Sequence, residues 1–64
     1  MGAGEEYYTM AEVAEYLRVS LSMVYKLIGQ GELSAVRVGR ALRISGSEVG
    51  RFEHANMTNE VKAQ

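Results

Sequence analysis

Apolar residues along this chain recur first with a helical period, then with a strand period, then with a helical period again. Met10, Val13, Ala14 and Leu17 follow the i, i+3, i+4, i+7 rule, which predicts a helix over residues 10–17 with that face inward. Thr9 precedes it and Glu12 sits three residues on, the pattern of a capping box, while Tyr8 and Val13 are spaced as a hydrophobic staple. In the next stretch, Ser20 to Gly31, residues are placed at steps of about 100° around a helix. Leu21, Val24, Leu27 and Ile28 then fall on one side. Ser22, Met23, Lys26 and Gln30 fall on the other, with Tyr25 on the flank. Between the two helices lie Arg18 and Val19, a very short turn, and Ser20, which caps the second helix. Such turns often need a residue with positive φ. Arg18 takes that place here, at a cost of about 1–2 kcal/mol. Helices this close in sequence cross near 90–120° rather than lying side by side, which is the helix-turn-helix. Ala14 suits the crossing, because a small side chain lets the backbones approach.

Either Gly29 or Gly31 can supply the left-handed residue that ends the second helix. Val36, Val38, Leu42 and Ile44 then flank a turn containing Gly39, so a β-hairpin follows. A two-residue loop at Gly39–Arg40 pairs Arg37 with Leu42 and mixes the faces. A three-residue loop of Gly39, Arg40 and Ala41 pairs Val38 with Leu42 and Val36 with Ile44. The apolar pattern favours the second, with all four apolar residues inward and Arg37 and Arg43 outward. Ser45 with Glu48 repeats the capping box and Ile44 with Val49 the staple, so a third helix is expected over about residues 46–54, with Val49 and Phe52 inward. Gly46 and Gly50 weaken it by up to about 1 kcal/mol each relative to Ala. Residues 1–6 and 55–64 are polar and expected to be loose. The domain is therefore 7–54, mainly α with one hairpin: a winged helix-turn-helix.

Composition narrows the function. The chain has 64 residues, no Cys and one His, His54. No disulfide, thiolate metal site or imidazole-built zinc site is available, and no cofactor is implied. No apolar run approaches the ~20 residues of a membrane span. The expectation is a cytoplasmic protein. The net charge of −1 conceals an asymmetry. Residues 1–17 hold Glu5, Glu6, Glu12 and Glu15 and no base. Residues 18–51 hold Arg18, Lys26, Arg37, Arg40, Arg43 and Arg51 against Glu32 and Glu48. A polyanion meets the local patch, not the average.

This order of parts suits a DNA duplex. The second helix can enter the major groove with its N-terminal residues at base edges. Ser20, Ser22, Met23, Tyr25 and Lys26 are the candidates. Met23 lies between the two faces, so it can fill the core or meet the groove, and Tyr25 can pack its ring on the hairpin while its hydroxyl meets a phosphate. Arg37, Arg40 and Arg43 place guanidinium groups on the wing, suited to phosphates or the adjacent minor groove. Arg40, at a loop tip, has no folding role. Arg18 and Arg51 are surface charges or peripheral phosphate contacts.

The pieces YTMAEVAEYLRVSLSMVYKLIGQGEL, AVRVGRALRI and SEVGRF together resemble the excisionase-type DNA-binding domain, a small relative of the MerR-type winged helix. The resemblance covers about residues 7–53. It implies a small protein that binds double-stranded DNA, either as a recombination directionality factor or as a transcriptional regulator. It also implies groove-facing roles for Ser22, Met23, Tyr25 and Lys26 and wing roles for Arg37, Arg40 and Arg43. Gly46 stands where that family often has Pro, and Ala41 where a second base often follows Arg40.

Rival readings are weaker. Nothing supplies a nucleophile activated by a base, and no P-loop or dinucleotide fingerprint occurs, so no enzyme is expected. A protein-interaction module on the same fold would use the acidic N-terminal segment and the apolar flank of the hairpin. RNA binding would need an exposed aromatic pair on the hairpin, which is lacking. A module this small buries only about 600–1,000 Å² on DNA. Self-association on repeated sites, or a partner such as an integrase, is therefore expected.

Overall fold

The computed structural model describes residues 6–58. The expectations for residues 1–5 and 59–64 lie outside that range. The elements are β1 (Tyr7–Tyr8), α1 (Met10–Leu17), α2 (Leu21–Gly29), β2 (Val36–Val38), β3 (Ala41–Ser45) and α3 (Gly46–Ala55). Three helices carry a small antiparallel sheet of order β1-β3-β2, which is the winged helix-turn-helix.

Local side-chain chemistry sets the helix starts. Thr9 forms the complete capping box: its hydroxyl accepts from Glu12 N–H at 3.0 Å, and its own N–H donates to the Glu12 carboxylate at 2.9 Å. The Ser20 hydroxyl accepts from Met23 N–H, and the Ser45 hydroxyl from Glu48 N–H, each at 3.1 Å. The first two helices end alike. Arg18 takes φ 61° and Gly31 φ 80°. After α1, Arg18 N–H donates to the Glu15 carbonyl and Val19 N–H to that of Ala14. After α2, Gly31 N–H donates to the Ile28 carbonyl and Glu32 N–H to that of Leu27. This is the Schellman pair of bonds, closed once with glycine and once, under strain, with arginine.

The core is Met10, Val13, Ala14, Val24, Leu33, Ile44 and Val49, with Tyr8, Leu17, Leu27, Ile28, Ala35, Leu42 and Phe52 packed around it. Leu33 is 1% exposed, yet it sits in the connection after α2, where no periodicity announces it. Its neighbours are held by α3. Arg51 donates from Nε to Glu48 Oε1 at 3.0 Å and from Nη2 to Glu48 Oε2 at 2.7 Å. The same Nη2 reaches the Glu32 carbonyl at 2.8 Å, and Glu48 accepts Ser34 N–H at 3.0 Å. The pair thus grips the backbone on both sides of Leu33. Hydrogen bonds from the Arg51 guanidinium and the Ser34 N–H, with the arginine's charge, hold the Glu48 carboxyl below its ordinary value of 4.5.

The hairpin departs from the expected register. Val36 pairs with Arg43, Arg37 with Leu42 and Val38 with Ala41, so the loop is the two-residue Gly39–Arg40. Gly39 has φ 64°, and Arg40 has no positive φ, which is the requirement of a II′ turn that matches strand twist. The turn sets the register, and that register places Val36 and Val38 on the face of Arg43 and Ala41, away from the face of Leu42 and the buried Ile44. Val36 and Val38 are accordingly exposed, not inward. Directly opposed residues share a face, so Arg37 lies on the face of Leu42 and Arg43 on the opposite one; they do not point outward together. Leu21, expected in the core, is also exposed, at 46%. Tyr7–Tyr8 form a strand rather than simple cover: they pair with Ser45 and Ile44, and Gly46 N–H donates to the Glu6 carbonyl at 2.9 Å. That bond, which proline could not make, fits glycine at position 46.

Arg18→Gly relieves the left-handed strain, less the entropy glycine adds to the unfolded chain, and should raise stability by up to about 1 kcal/mol. Gly31→Ala should lower it by a similar amount; urea denaturation measures both. Glu48, with its lowered pKa, contributes stability that is present above the unfolded value and is lost as pH falls through the folded one. In melts from neutral pH to about pH 3, Glu48→Gln should be less stable at neutrality and converge on the parent in acid. Parallel profiles would contradict the grip on the Leu33 connection.

Candidate nucleic-acid interface

α2 meets α1 across a three-residue turn, which commits Val24 to the core and turns the opposite arc of the helix outward. That arc carries Ser22 and Lys26 at its centre, both exposed. Leu21 and Tyr25, one turn apart and 46% and 49% exposed, form its edge on the side of the hairpin, and Met23, 38% exposed, forms the other edge. Met23 therefore stands between core and solvent, as its position predicts. The Ser20 hydroxyl is occupied by the cap and lies 3.2 Å from that of Ser22. α2 carries no acidic residue in its first turn, whereas α1 and α3 carry Glu12 and Glu48 there.

The wing stands beside that arc. A shallow groove of about 380 Å³ is shared by the start of α1 (Thr9, Met10, Ala11), by Leu21 and Tyr25 of α2, and by Arg40, Ala41, Leu42 and Arg43 of the hairpin. Arg40 is exposed at the turn. Arg43 is half-buried and donates from Nη1 to the Leu42 carbonyl at 2.9 Å, which holds its guanidinium along the strand. Arg37 is exposed on β2. Among the described residues none of Arg18, Lys26, Arg37, Arg40 and Arg43 forms an ion pair; the one recorded is Arg51 with Glu48.

The sequence candidates thus divide in space. Tyr25, Arg40 and Arg43 meet in one groove, with Ser22, Lys26 and Arg37 adjacent by helix and strand position. Arg18 lies exposed in the turn between the first two helices. Arg51 is bound to Glu48 and Glu32 through three hydrogen bonds, and the carboxylate beside it raises its pKa further. Leu21 and the first turn of α1 were missed as lining residues. For Leu21 a signal existed: it lies about 70° from the centre of the arc defined by Val24, Leu27 and Ile28, at the margin of what a core can cover.

Carboxylates gather elsewhere. A second, larger groove of about 530 Å³ runs between α1 and α3, lined by Tyr8, Glu12, Glu15, Tyr16 and Glu53 over a floor of Val13, Val49, Gly46 and Gly50. The Tyr16 hydroxyl donates to Glu53, 3.2 and 3.1 Å from its two oxygens, and that bond raises the tyrosine's pKa. The charge asymmetry along the chain has become one between two faces. Among the described residues no group of His, Cys, Asp and Glu could hold a metal ion, and no helix is long and apolar enough to cross a membrane.

Comparison with known proteins agrees with this architecture. Over 47 residues the chain is 49% identical to two Mycobacterium tuberculosis proteins, named "Putative DNA-binding protein Rv0500A" and "Putative DNA-binding protein MT0521". The match takes in 73% of this chain and 60% of each relative. An uncharacterized Bacillus subtilis protein, YvgK, is 44% identical over 46 residues, 72% of this chain but 15% of its own length. The match thus spans 60% of the length of the mycobacterial relatives and a small part of the Bacillus one. No solved structure matches it. The family described as "Helix-turn-helix domain" matches residues 7–56, nearly the whole of the folded region and all six of its elements. The chain belongs to that helix-turn-helix family, at which level the resemblance to the excisionase-type domain holds.

Proposed function

We propose that this chain binds double-stranded DNA, with the N-terminal half of α2 in the major groove and the wing on the neighbouring backbone or minor groove. The observation that carries the reading is the juxtaposition of Arg40 and Arg43 with the exposed flank of α2 in one groove, while the carboxylates of Glu12, Glu15 and Glu53 line another. Duplex DNA is a polyanion whose major groove admits one helix. A cation-rimmed helix edge fits it and an acid-lined groove does not. The names of the mycobacterial relatives support the same reading.

Roles follow from position. Ser20, Ser22, Met23, Tyr25 and Lys26 face base edges or the adjoining phosphates. Arg37, Arg40 and Arg43 neutralise phosphates, and Arg18 adds a peripheral contact. Arg51, though on the surface, is largely spent on Glu48 and Glu32, so its share in DNA binding is small. The small footprint of one module suits action in multiples, or beside a partner such as an integrase. The biological role is that of an excisionase-like recombination factor or a transcriptional regulator in the cytoplasm.

One observation favours a second reading, a protein-interaction module: Val36 and Val38 are 46% and 56% exposed on one face of the wing. Salt separates the two. Binding through about four to six phosphates should lose affinity with a log–log slope near −0.9 per contact. In gel retardation on mixed-sequence duplexes, Arg40→Ala should weaken binding to every sequence alike and reduce the slope by about one. A flat salt response in the parent chain would refute DNA binding and favour the protein partner.

A further inference from the structure

We infer that the recognition helix reads thymine through its methyl group, with Leu21 and Tyr25 as the receiving surface. This deepens, and rests on, the proposal that α2 enters the major groove. A single exposed leucine on a protein surface needs no explanation. Here, however, the Leu21 side chain and the Tyr25 ring stand one helical turn apart, 46% and 49% exposed, inside the groove that also holds Arg40 and Arg43. An aqueous groove rimmed by guanidinium groups is a poor place to leave them, and an anion drawn to those groups would cover them.

The chemistry of α2 narrows what they meet. From Leu21 to Gly29 the helix has no Arg, Asn or Gln. Those are the side chains that grip guanine or adenine through two hydrogen bonds. Ser22 is short and tolerates either partner, and Lys26 is the residue on the outward arc that can favour guanine. With the Tyr25 hydroxyl free to meet a phosphate, the remaining contact on that arc, from Leu21 and the Tyr25 ring, is apolar. In the major groove the apolar feature that distinguishes one base from the others is the C5-methyl group of thymine. Leu21 is in the first turn of the helix, the part that reaches base edges in helix-turn-helix docking. The edge formed by Leu21 and Tyr25 thus selects sequences with thymine at the positions beneath it, while the arginines hold the flanking phosphates.

The test uses the full chain and duplexes selected from a randomised pool. Each thymine of the selected site is replaced in turn by deoxyuridine, which removes the methyl group and leaves Watson–Crick pairing intact. At one or more positions the parent chain should lose affinity about fourfold per methyl, which corresponds to about 0.8 kcal/mol for one buried carbon. Leu21→Ala or Tyr25→Ala, each with an unchanged circular-dichroism spectrum, should bind the two duplexes equally at that position and keep the parent's salt slope. The inference is overturned if the selected site contains no thymine. It is also overturned if deoxyuridine is tolerated at every position, or if both variants retain the preference, while salt-dependent binding persists in each case. Absence of retardation on any duplex would instead overturn the DNA-binding proposal on which the inference stands.

Discussion

The structure depends on a backbone constraint: three residues, Arg18 to Ser20, join two helices that must both reach one small core. So short a link, closed by the left-handed Arg18, suits the steep crossing of a helix-turn-helix. Val13 and Ala14 of α1 and Val24 of α2 are buried there, at 1%, 6% and 0% exposure. Once Val24 is committed, the rotation of α2 about its axis is settled, and with it which side chains face solvent. The strained conformation of Arg18 is part of the same constraint. A left-handed residue is needed to end α1 at that point, and the chain accepts an arginine there rather than lengthen the turn.

The wing is tied to this core from its inner end. Ile44 is fully buried and pairs with Tyr8, so β3 is gripped by the helices on one face and by β1 along one edge. From that anchor the ribbon runs to the turn at Gly39–Arg40, with Val36 and Val38 on the face turned away from the core. The two-residue turn keeps the tip short, which suits a finger that must hold its shape in water. On the other side of the molecule the Glu48–Arg51 pair fastens the connection that carries Leu33 inward. A single surface ion pair contributes little to stability. This one differs because its members also bond two backbone groups flanking a buried leucine.

Much of this could be read from the residues alone, and the failures are instructive. Thr9, Ser20 and Ser45 were recognisable as caps because capping is a contact between a side chain and backbone three residues away, with no tertiary input. The left-handed Arg18 followed from the spacing of the helices. The hairpin register could not be obtained from the apolar pattern, because Val36 and Val38 look like core residues although the two-residue turn places them on the face away from Leu42 and Ile44. Gly39 carried the correct signal, since glycine at the first turn position favours the two-residue loop. The strand Tyr7–Tyr8 is too short to show a period. Leu33, isolated between Glu32 and Ser34, shows none either, although it is among the most buried residues. The exposure of Arg40 was legible because a loop tip has no core to serve. That of Leu21 was not, because a leucine beside an apolar arc is assigned to the core until the core is seen to be full.

The central claim is spatial: one face of the domain, built from α2 and the wing, meets DNA, and the acid-lined groove between α1 and α3 does not. Amide chemical shifts recorded while a duplex is added at low salt test it directly. The account predicts changes concentrated over residues 20–26 and 37–43, with Glu12, Glu15 and Glu53 little affected. Changes confined to the α1–α3 groove, or a spectrum that stays as it was, would contradict it.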